Sequence, residues 1–294
     1  MKFKNYFLLH IIVFIWGWTA ILGKAISISA LPLVWNRMWI ALAGIFFYLV
    51  YTKGKWKIKW KDFLKFAGVG ILIAIHWLCF YASIKISNVS ITLVCFSSGA
   101  FFTALVEPMF FKRRIDWIEI IFGLVAIGAL SLIFSIDTKY TLGIILSIGA
   151  AVTSSFFSVL NGLLIKEYDS KVISLYEMLT GFLFLTVYLS FNSGLNFSLI
   201  DLSGNDFICL LLLGLVCTAY PFIVAVDIMK EISPYTISLT VNLESVYGII
   251  LAYFIFGNDE KMSIQFYTAT IIILLALIAN ALVKKYRREK ILFK

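Results

Sequence analysis

The sequence predicts an all-α integral membrane protein in which ten transmembrane helices form two inverted five-helix repeats. Its composition is the first observation: 62% of the 294 residues are hydrophobic and 14% are charged, and the mean hydropathy is +0.97. A soluble protein of this size needs more polar surface than that. The second observation is a succession of ten apolar segments, and the third is the alternation of strongly and weakly basic loops between them.

Each apolar segment approaches the ~20 residues that a helix needs to cross about 30 Å of hydrocarbon. Lipid offers no hydrogen-bond partner to the backbone, and the segments lack the period-two alternation of a membrane β-barrel, so helices are the expected form. The predicted spans are residues 6–24, 31–51, 64–84, 88–111, 117–135, 141–165, 172–191, 206–228, 235–256 and 263–283.

Basic residues give the predicted orientation. With a cytoplasmic N-terminus, 20 of the 25 lysines and arginines lie on the cytoplasmic side. Lys24, Lys85, Lys139 and Lys261 lie on the opposite side, and Arg37 remains inside the second span. We therefore expect a multi-pass protein of the cell (cytoplasmic) membrane with both termini in the cytoplasm. Anionic lipid beside the basic face accounts for the net charge of +9 without a nucleic acid partner.

The first span follows Lys2 and Lys4, and a signal peptide is the alternative interpretation of this segment. Its apolar run is long for the core of a signal peptide. Cleavage after it would also leave nine spans and would remove the equal division of the chain into halves. We therefore expect this segment to remain as the first transmembrane helix.

The chain divides into two halves of five spans, residues 1–140 and residues 141–294, and the second half carries the basic C-terminal tail. Because five is odd, the second half enters the membrane from the opposite side, and the repeats are inverted. Inverted repeats with a site between them are typical of secondary transporters that work by alternating access. At an offset of 146 the halves match without a gap at six of 25 positions, pairing Ile86-Ser87 with Ile232-Ser233, Ile91 with Ile237, Leu93 with Leu239, Leu105 with Leu251 and Phe110 with Phe256.

Several motifs carry a resemblance to a known family. They are Trp16-Gly17 and Lys24 around the first span, Arg37 in the second, Tyr81-Ala82-Ser83-Ile84-Lys85-Ile86-Ser87 before the fourth, and Leu243-Glu244-Ser245 followed by Gly257 and Glu260. In these motifs the chain resembles the EamA family of the drug/metabolite transporter superfamily. That resemblance implies efflux or uptake of small metabolites such as amino acids.

The chain departs from two features that members of this family typically show. They carry a Glu-Pro pair in the fourth helix of each unit, whereas here Ser245 follows Glu244 and the equivalent first-half pair is Ser98-Gly99. They also carry a Gly-Glu pair at the end of that helix, where the first half of this chain has Lys112-Arg113. At these positions the pattern of the family therefore gives no site residue for this chain.

Ionisable side chains inside the spans are candidates for transport chemistry, because placing one near the bilayer centre costs ~2.5–3.5 kcal/mol. Arg37 is expected to bind a substrate carboxylate through its planar fork, or else to reach the headgroups or pair with a glutamate. Glu244 is a candidate for proton coupling or for binding an amine, or a carboxylate that ties helices together through Arg37 or a hydroxyl. Glu107 is expected at the interface or paired with Lys112, and Glu177 near the cytoplasmic side.

Aromatic residues follow one face of the third span, where Trp77, Tyr81 and Lys85 recur at intervals of four. Such a face suits an organic anion or zwitterion, or else forms a belt at the membrane interface. Trp16, Trp77 and Tyr81 are predicted substrate contacts. His76 is either a second proton-coupling candidate, since histidine changes charge near neutral pH, or a hydrogen-bonded core residue.

Small and polar residues mark helix faces that either pack closely or line a cavity. In the ninth span we expect cavity lining, with Asn242 and Ser245 in contact with substrate. In the sixth span we expect packing. Pro108 and Pro221 are candidate hinges, because each frees a backbone carbonyl. The two stripes comprise Ser238, Asn242 and Ser245 in the ninth span and Ser147, Ala151, Ser154, Ser158 and Asn161 in the sixth.

The sequence shows no phosphate loop, serine triad or ATP-binding domain. Its four cysteines lack metal-ligand spacing, and we expect them to be packing residues. We therefore expect a secondary transporter without metal or cofactor, rather than an enzyme, that exports an amino acid or a related metabolite. Alternatives are a membrane-embedded lipid-modifying enzyme or lipid flippase accessory, and thirdly a channel. The expected partners are a small-molecule substrate and the lipid bilayer, with a monomer as the simplest assembly. The cysteines are Cys79, Cys95, Cys209 and Cys217.

Overall fold

The computed structural model describes residues 2–54, 56–136, 140–192, 199 and 201–292, and ten long helices account for most of them. Their boundaries fall within a few residues of the predicted spans except at the end of the last helix, where no proline or glycine stops the chain and the helix continues into the basic tail. The helices are α1 (Lys2–Ala25), α2 (Ala30–Tyr51), α3 (Trp60–Ile86), α4 (Val89–Phe111), α5 (Trp117–Ile136), α6 (Thr141–Leu164), α7 (Ser170–Asn192), α8 (Gly204–Ile228), α9 (Pro234–Phe256) and α10 (Ile264–Leu292).

Eight of these helices, α1 to α4 and α6 to α9, are long and apolar enough to cross a membrane, counted over the described part of the chain. The chain is therefore a multi-pass membrane protein. The other two, α5 and α10, have described apolar stretches of fewer residues, Trp117–Ala129 and Ile264–Asn280. The prediction of ten spans is thus confirmed for eight and stays a prediction for α5 and α10.

Contacts between the two halves of the chain form most of the interior. Helix α3 of the first half packs on α6 and α7 of the second, α1 packs on α9, and α5 packs on α10. Gly70 lets α3 and α7 approach closely, because a side chain there would overlap the backbone of Glu177 and Gly181. Small residues serve this purpose in membrane helices, where packing rather than water exclusion holds helices together.

Two helices are irregular near the middle of the bundle. Helix α4 is interrupted at Ser97 and Ser98, which separate Val89–Phe96 from Gly99–Phe111. Helix α8 contains a π-helical segment, Leu212–Ala219, directly before Pro221. Segments of this kind are frequent at functional sites.

The two predicted hinges differ in their surroundings. The π-helical segment adjoins Pro221, and Thr218 Oγ1 donates to the Leu213 carbonyl at 2.6 Å. Pro108 instead lies within the regular helix Gly99–Phe111. Movement at either proline stays a prediction, and Pro221 has the more irregular backbone beside it.

Candidate functional site

A cavity of about 100 Å³ lies between the two halves, with walls from α1 to α4 and from α6, α8 and α9. Its walls combine aromatic rings with a few polar and charged groups, the usual make-up of a small-molecule site. The aromatic residues are Trp16, Trp77, Phe80, Phe96, Phe157 and Phe222, and the polar ones include Thr19, Arg37, His76, Ser154, Ser158, Asn161, Thr218, Ser238, Asn242 and Glu244.

Arg37 is the cation of this cavity, and only 3% of its surface is exposed. Its Nε donates to Thr218 Oγ1 at 2.7 Å, and its Nη1 donates to Tyr81 Oη at 2.6 Å. The guanidinium carbon lies 3.9 Å from the centre of the Trp77 ring. Hydroxyls and an aromatic face thus orient the group, and neither neutralises its charge.

The charge of Arg37 has no direct carboxylate partner within the described part of the chain, where every ion pair involves other residues. The remaining nitrogen, Nη2, makes no hydrogen bond there. Glu244 forms no ion pair with Arg37 and attracts it only at longer range, so the burial of this charge is partly compensated and remains costly. The cavity is therefore electrostatically suited to a ligand with an anionic group.

Glu244 is the only carboxylate among the described residues that line the cavity. Thr19 Oγ1 lies 3.5 Å from its Oε1, but the same hydroxyl donates to the Trp16 carbonyl at 2.7 Å, so it binds Glu244 weakly at most. Nearby on α9, Asn242 Nδ2 is buried without a hydrogen-bond partner in the described structure. An acid and an unused amide donor therefore lie on the second-repeat wall of the cavity that contains Arg37.

The structure brings most of the predicted substrate contacts to one place. Trp16, Trp77, Arg37, Asn242 and Glu244 line the cavity. Tyr81 does not line the cavity and binds Arg37 from behind the wall. Thr19 was not predicted; its position three residues after Trp16, on the same helix face, is the signal that could have indicated it.

Ser245 lies elsewhere, in contrast to the prediction. Its hydroxyl donates to the Leu93 carbonyl at 2.7 Å and lies 2.8 Å from Ser97 Oγ, so it joins α9 to the interruption in α4. Lys85 also points away from the cavity, because its ammonium group donates to the Ile26 carbonyl. On an α-helix, residue 245 lies about 100° from residue 244, so the two side chains meet different neighbours.

His76 lies in the cavity wall with one of its two ring nitrogens hydrogen-bonded. Its Nδ1 donates to the Ala150 carbonyl at 2.8 Å, and its ring packs against Phe157 and Phe96 with centroids 5.3 Å and 5.5 Å away. This arrangement matches the hydrogen-bonded core residue that the sequence offered as one alternative. A role in proton coupling stays a prediction.

The polar stripe of α6, predicted to serve packing, is divided between two uses. Ser147 donates to the Thr92 carbonyl at 2.6 Å, which is helix packing. Ser154, Ser158 and Asn161, farther along the helix, line the cavity. The periodicity identifies the helix face, whereas the neighbour that covers each turn is decided by tertiary packing.

Glu107 and Glu177 also have partners that the sequence did not indicate. Glu107 pairs with Arg113 Nε at 3.0 Å. The sequence offered Lys112 as its partner, or else a position at the interface. Residue 112 ends α4 in a left-handed conformation that turns the chain, and Arg113 follows the turn. Glu177 is fully buried, and its Oε2 accepts from Asn161 Nδ2 at 3.3 Å.

Within the described residues no cluster of three or more His, Cys, Asp or Glu is suited to hold a metal ion.

Comparison with protein-family models decides the family. The model of the EamA-like transporter family matches the chain twice, over residues 3–135 and 141–282. The chain belongs to the EamA-like transporter family. This family is part of the drug/metabolite transporter superfamily, and its members are transporters rather than enzymes. The resemblance inferred from the sequence motifs is confirmed.

Solved structures agree with this fold. A crystal structure described only as that of a protein is 12% identical, with a TM-score of 0.72 over 95% of this chain and 98% of the other. That likeness concerns the fold alone. A search of curated proteins found no significant match.

Proposed function

We propose that this EamA-family protein exports a small zwitterionic metabolite, such as an amino acid, across the cytoplasmic membrane by alternating access. The observation that carries the proposal is the cavity between the repeats, which is lined by Arg37 from the first repeat and by Glu244 from the second, with no ion pair between them among the described residues. One group suits a carboxylate and the other an ammonium. The family membership favours a transporter over a lipid-modifying enzyme.

Arg37 binds the substrate carboxylate in this proposal. Its Nη2 makes no hydrogen bond to the described residues, and the Trp77 ring together with the bonds to Thr218 and Tyr81 holds the guanidinium plane in place. A planar guanidinium binds a carboxylate more specifically than an ammonium group does. Because the group is already oriented, little side-chain entropy is lost on binding.

Glu244 has two roles that are compatible with its position. It attracts the substrate ammonium group, or it carries a proton that is exchanged during the transport cycle. Asn242 Nδ2, without a partner in the described structure, supplies a further hydrogen bond to the ligand. His76, with Nδ1 occupied by Ala150, is the weaker candidate for proton coupling.

The orientation is part of the proposal. The distribution of lysines and arginines favours a cytoplasmic position for both termini and for the loop between α2 and α3. Labelling of a Lys290→Cys variant, with the native cysteines replaced, tests this in intact cells. We expect an impermeant thiol reagent to react only after the membrane is permeabilised, and ready reaction in intact cells would reverse the orientation.

Counterflow in proteoliposomes tests the substrate class. Vesicles loaded with a neutral amino acid should take up the labelled amino acid from outside, and this uptake should saturate. The matched competitors are the amine and the carboxylic acid that each lack one of its charged groups. We expect the complete zwitterion to compete best; equal competition by the amine alone would exclude recognition by Arg37.

A further inference from the structure

Two buried carboxylates connect the repeats outside the cavity, one near each end of the bundle. Glu260, which follows α9 in the second repeat, accepts from Val89 N at 3.0 Å and from Ser90 N at 2.9 Å, at the start of α4. Ser90 Oγ adds a third bond at 2.8 Å. Glu107, in α4 of the first repeat, accepts from Tyr235 N at 2.6 Å, at the start of α9.

Each carboxylate therefore holds the first turn of the other repeat's fourth helix. The backbone N–H groups that bind these carboxylates belong to Val89 and Tyr235. These two residues are 146 positions apart, which is the offset at which the two repeats align. The carboxylates themselves are not equivalent, since Glu107 lies within α4 whereas Glu260 lies beyond the end of α9. The two contacts are thus symmetric in the helix N-terminus that is bound, and they differ in the position of the glutamate that binds it.

The contacts also show that α4 and α9 run antiparallel. The end of α4 meets the start of α9 at Glu107, and the end of α9 meets the start of α4 at Glu260. The middle of these two helices, including Gly99 and Glu244, lines the cavity. One carboxylate contact therefore lies on each side of the cavity along the membrane normal.

Each carboxylate is paired with a cation. Lys24 lies 2.9 Å from Glu260, whose side chain has no exposed surface, and the lysine ammonium also lies 4.5 Å from the centre of the Phe256 ring. Arg113 lies 3.0 Å from Glu107, whose side chain is 6% exposed. Charge-assisted bonds of this kind, made to a helix N-terminus, are stronger than neutral ones. We name the two groups the Glu260 latch (Glu260, Lys24, Val89, Ser90) and the Glu107 latch (Glu107, Arg113, Tyr235).

We propose that these two latches are the gates of the transport cycle, and that they open alternately. Both are closed in this structure. A ligand in the cavity reaches one face of the membrane when the helices at that face separate, which breaks the latch there. The latch at the opposite face then holds the repeats together and keeps the pathway closed. This inference rests on the proposed alternating access.

Cys217 supplies a natural reporter, because it lines the cavity and is almost fully buried. In a background with Cys79, Cys95 and Cys209 replaced by alanine, an impermeant thiol reagent reaches Cys217 only through an open gate. Labelling is measured separately in right-side-out and inside-out membrane vesicles. No substrate is needed, so the measurement is independent of the substrate class.

We expect mirrored effects from the two amide variants. Glu260→Gln should raise the labelling rate of Cys217 several-fold from the face that carries residue 260 and lower it from the other face. Glu107→Gln should do the opposite. Asp259→Asn and Glu231→Gln are the matched controls, since both acids are exposed and lie close in sequence to a latch; neither should change labelling.

Equal changes from both faces, or no change with either variant, would overturn the proposal. Lys24→Gln and Arg113→Gln weaken the same latches from the cationic side and should reproduce the two patterns, which covers the case in which a glutamine variant fails to fold. If the labelling rate of Cys217 shows the mirrored changes and no zwitterion is transported, the proposed substrate is wrong and the proposed gates are supported. Normal zwitterion transport without mirrored labelling would refute the gates alone.

Discussion

The fourth helices of the two repeats, α4 and α9, occupy equivalent places and contribute differently to the cavity. At the offset of 146, Glu244 of α9 corresponds to Ser98 of α4. Glu244 projects a carboxylate into the cavity from a continuous helix. Ser98 turns back and donates to the Cys95 carbonyl at 2.7 Å, at the point where α4 is interrupted. The two repeats share the placement of this helix, and they differ in its regularity and in the side chain that reaches the cavity.

The interruption of α4 has a local cause. Ser98 N donates to the Cys95 carbonyl, three residues back instead of four, at 3.1 Å, and Ser98 Oγ donates to the same oxygen at 2.7 Å. Ser97 N and Ser97 Oγ both donate to the Leu93 carbonyl at 3.1 Å. Ser245 of α9 donates to the same carbonyl at 2.7 Å. The lining of the cavity is asymmetric as well. The first repeat supplies the cation and most of the aromatic rings, and the second repeat supplies the acid.

The largest expected effect of breaking this asymmetry comes from Arg37→Ala, which removes the first-repeat cation. A hydrogen bond to a charged group contributes about 1.5–3 kcal/mol, so transport should fall on the order of 10- to 100-fold. Uptake into proteoliposomes and membrane abundance are measured together, and abundance should fall far less than uptake.

The control for this variant is Lys59→Ala, in an exposed basic loop. It should change neither uptake nor abundance, because other lysines in the same loop supply similar charge. Parallel loss of protein and activity for Arg37→Ala would show that the arginine serves helix packing instead of substrate binding.

An intermediate effect is expected from Glu244→Gln, which removes the second-repeat acid while keeping its shape. If transport is linked to protons, the variant should still exchange substrate across the membrane, and an imposed pH gradient should no longer accelerate it. Ser98→Ala, at the equivalent position of α4, should leave the response to the gradient unchanged. If transport by the wild-type protein does not respond to the pH gradient, the proposed role of Glu244 in proton coupling is wrong.

The smallest effect is expected from Ser245→Ala, because this hydroxyl joins α9 to α4 outside the cavity. We expect a loss of about 0.5–1.5 kcal/mol of stability, as for one hydrogen bond, with an unchanged KM for the substrate. Thermal unfolding in detergent and transport kinetics distinguish the two properties. A raised KM with normal stability would instead favour the substrate contact that the sequence predicted. Ser97→Ala should add little to the loss of stability, since the two hydroxyls share one carbonyl.

The sequence by itself determined the helices, their approximate ends and the family. Length and hydropathy identify a span because both follow from the thickness of the hydrocarbon layer. Arg37 and Glu244 were also identifiable, because an ionisable residue within a span is costly and therefore stands out. The division of the chain and the orientation of its ends remain predictions of this kind.

Tertiary structure alone decided which groups meet. Arg37 contacts Tyr81 and Thr218, which are 44 and 181 residues away along the chain. Glu107 contacts Tyr235, 128 residues away, and Glu260 contacts Ser90, 170 residues away. Helical periodicity gives the face on which a side chain lies, and the helix that covers this face depends on how all the helices pack. For that reason the sequence indicated the charged residues of the cavity, and the structure was needed to find the partners of Ser245, Glu107 and Glu260.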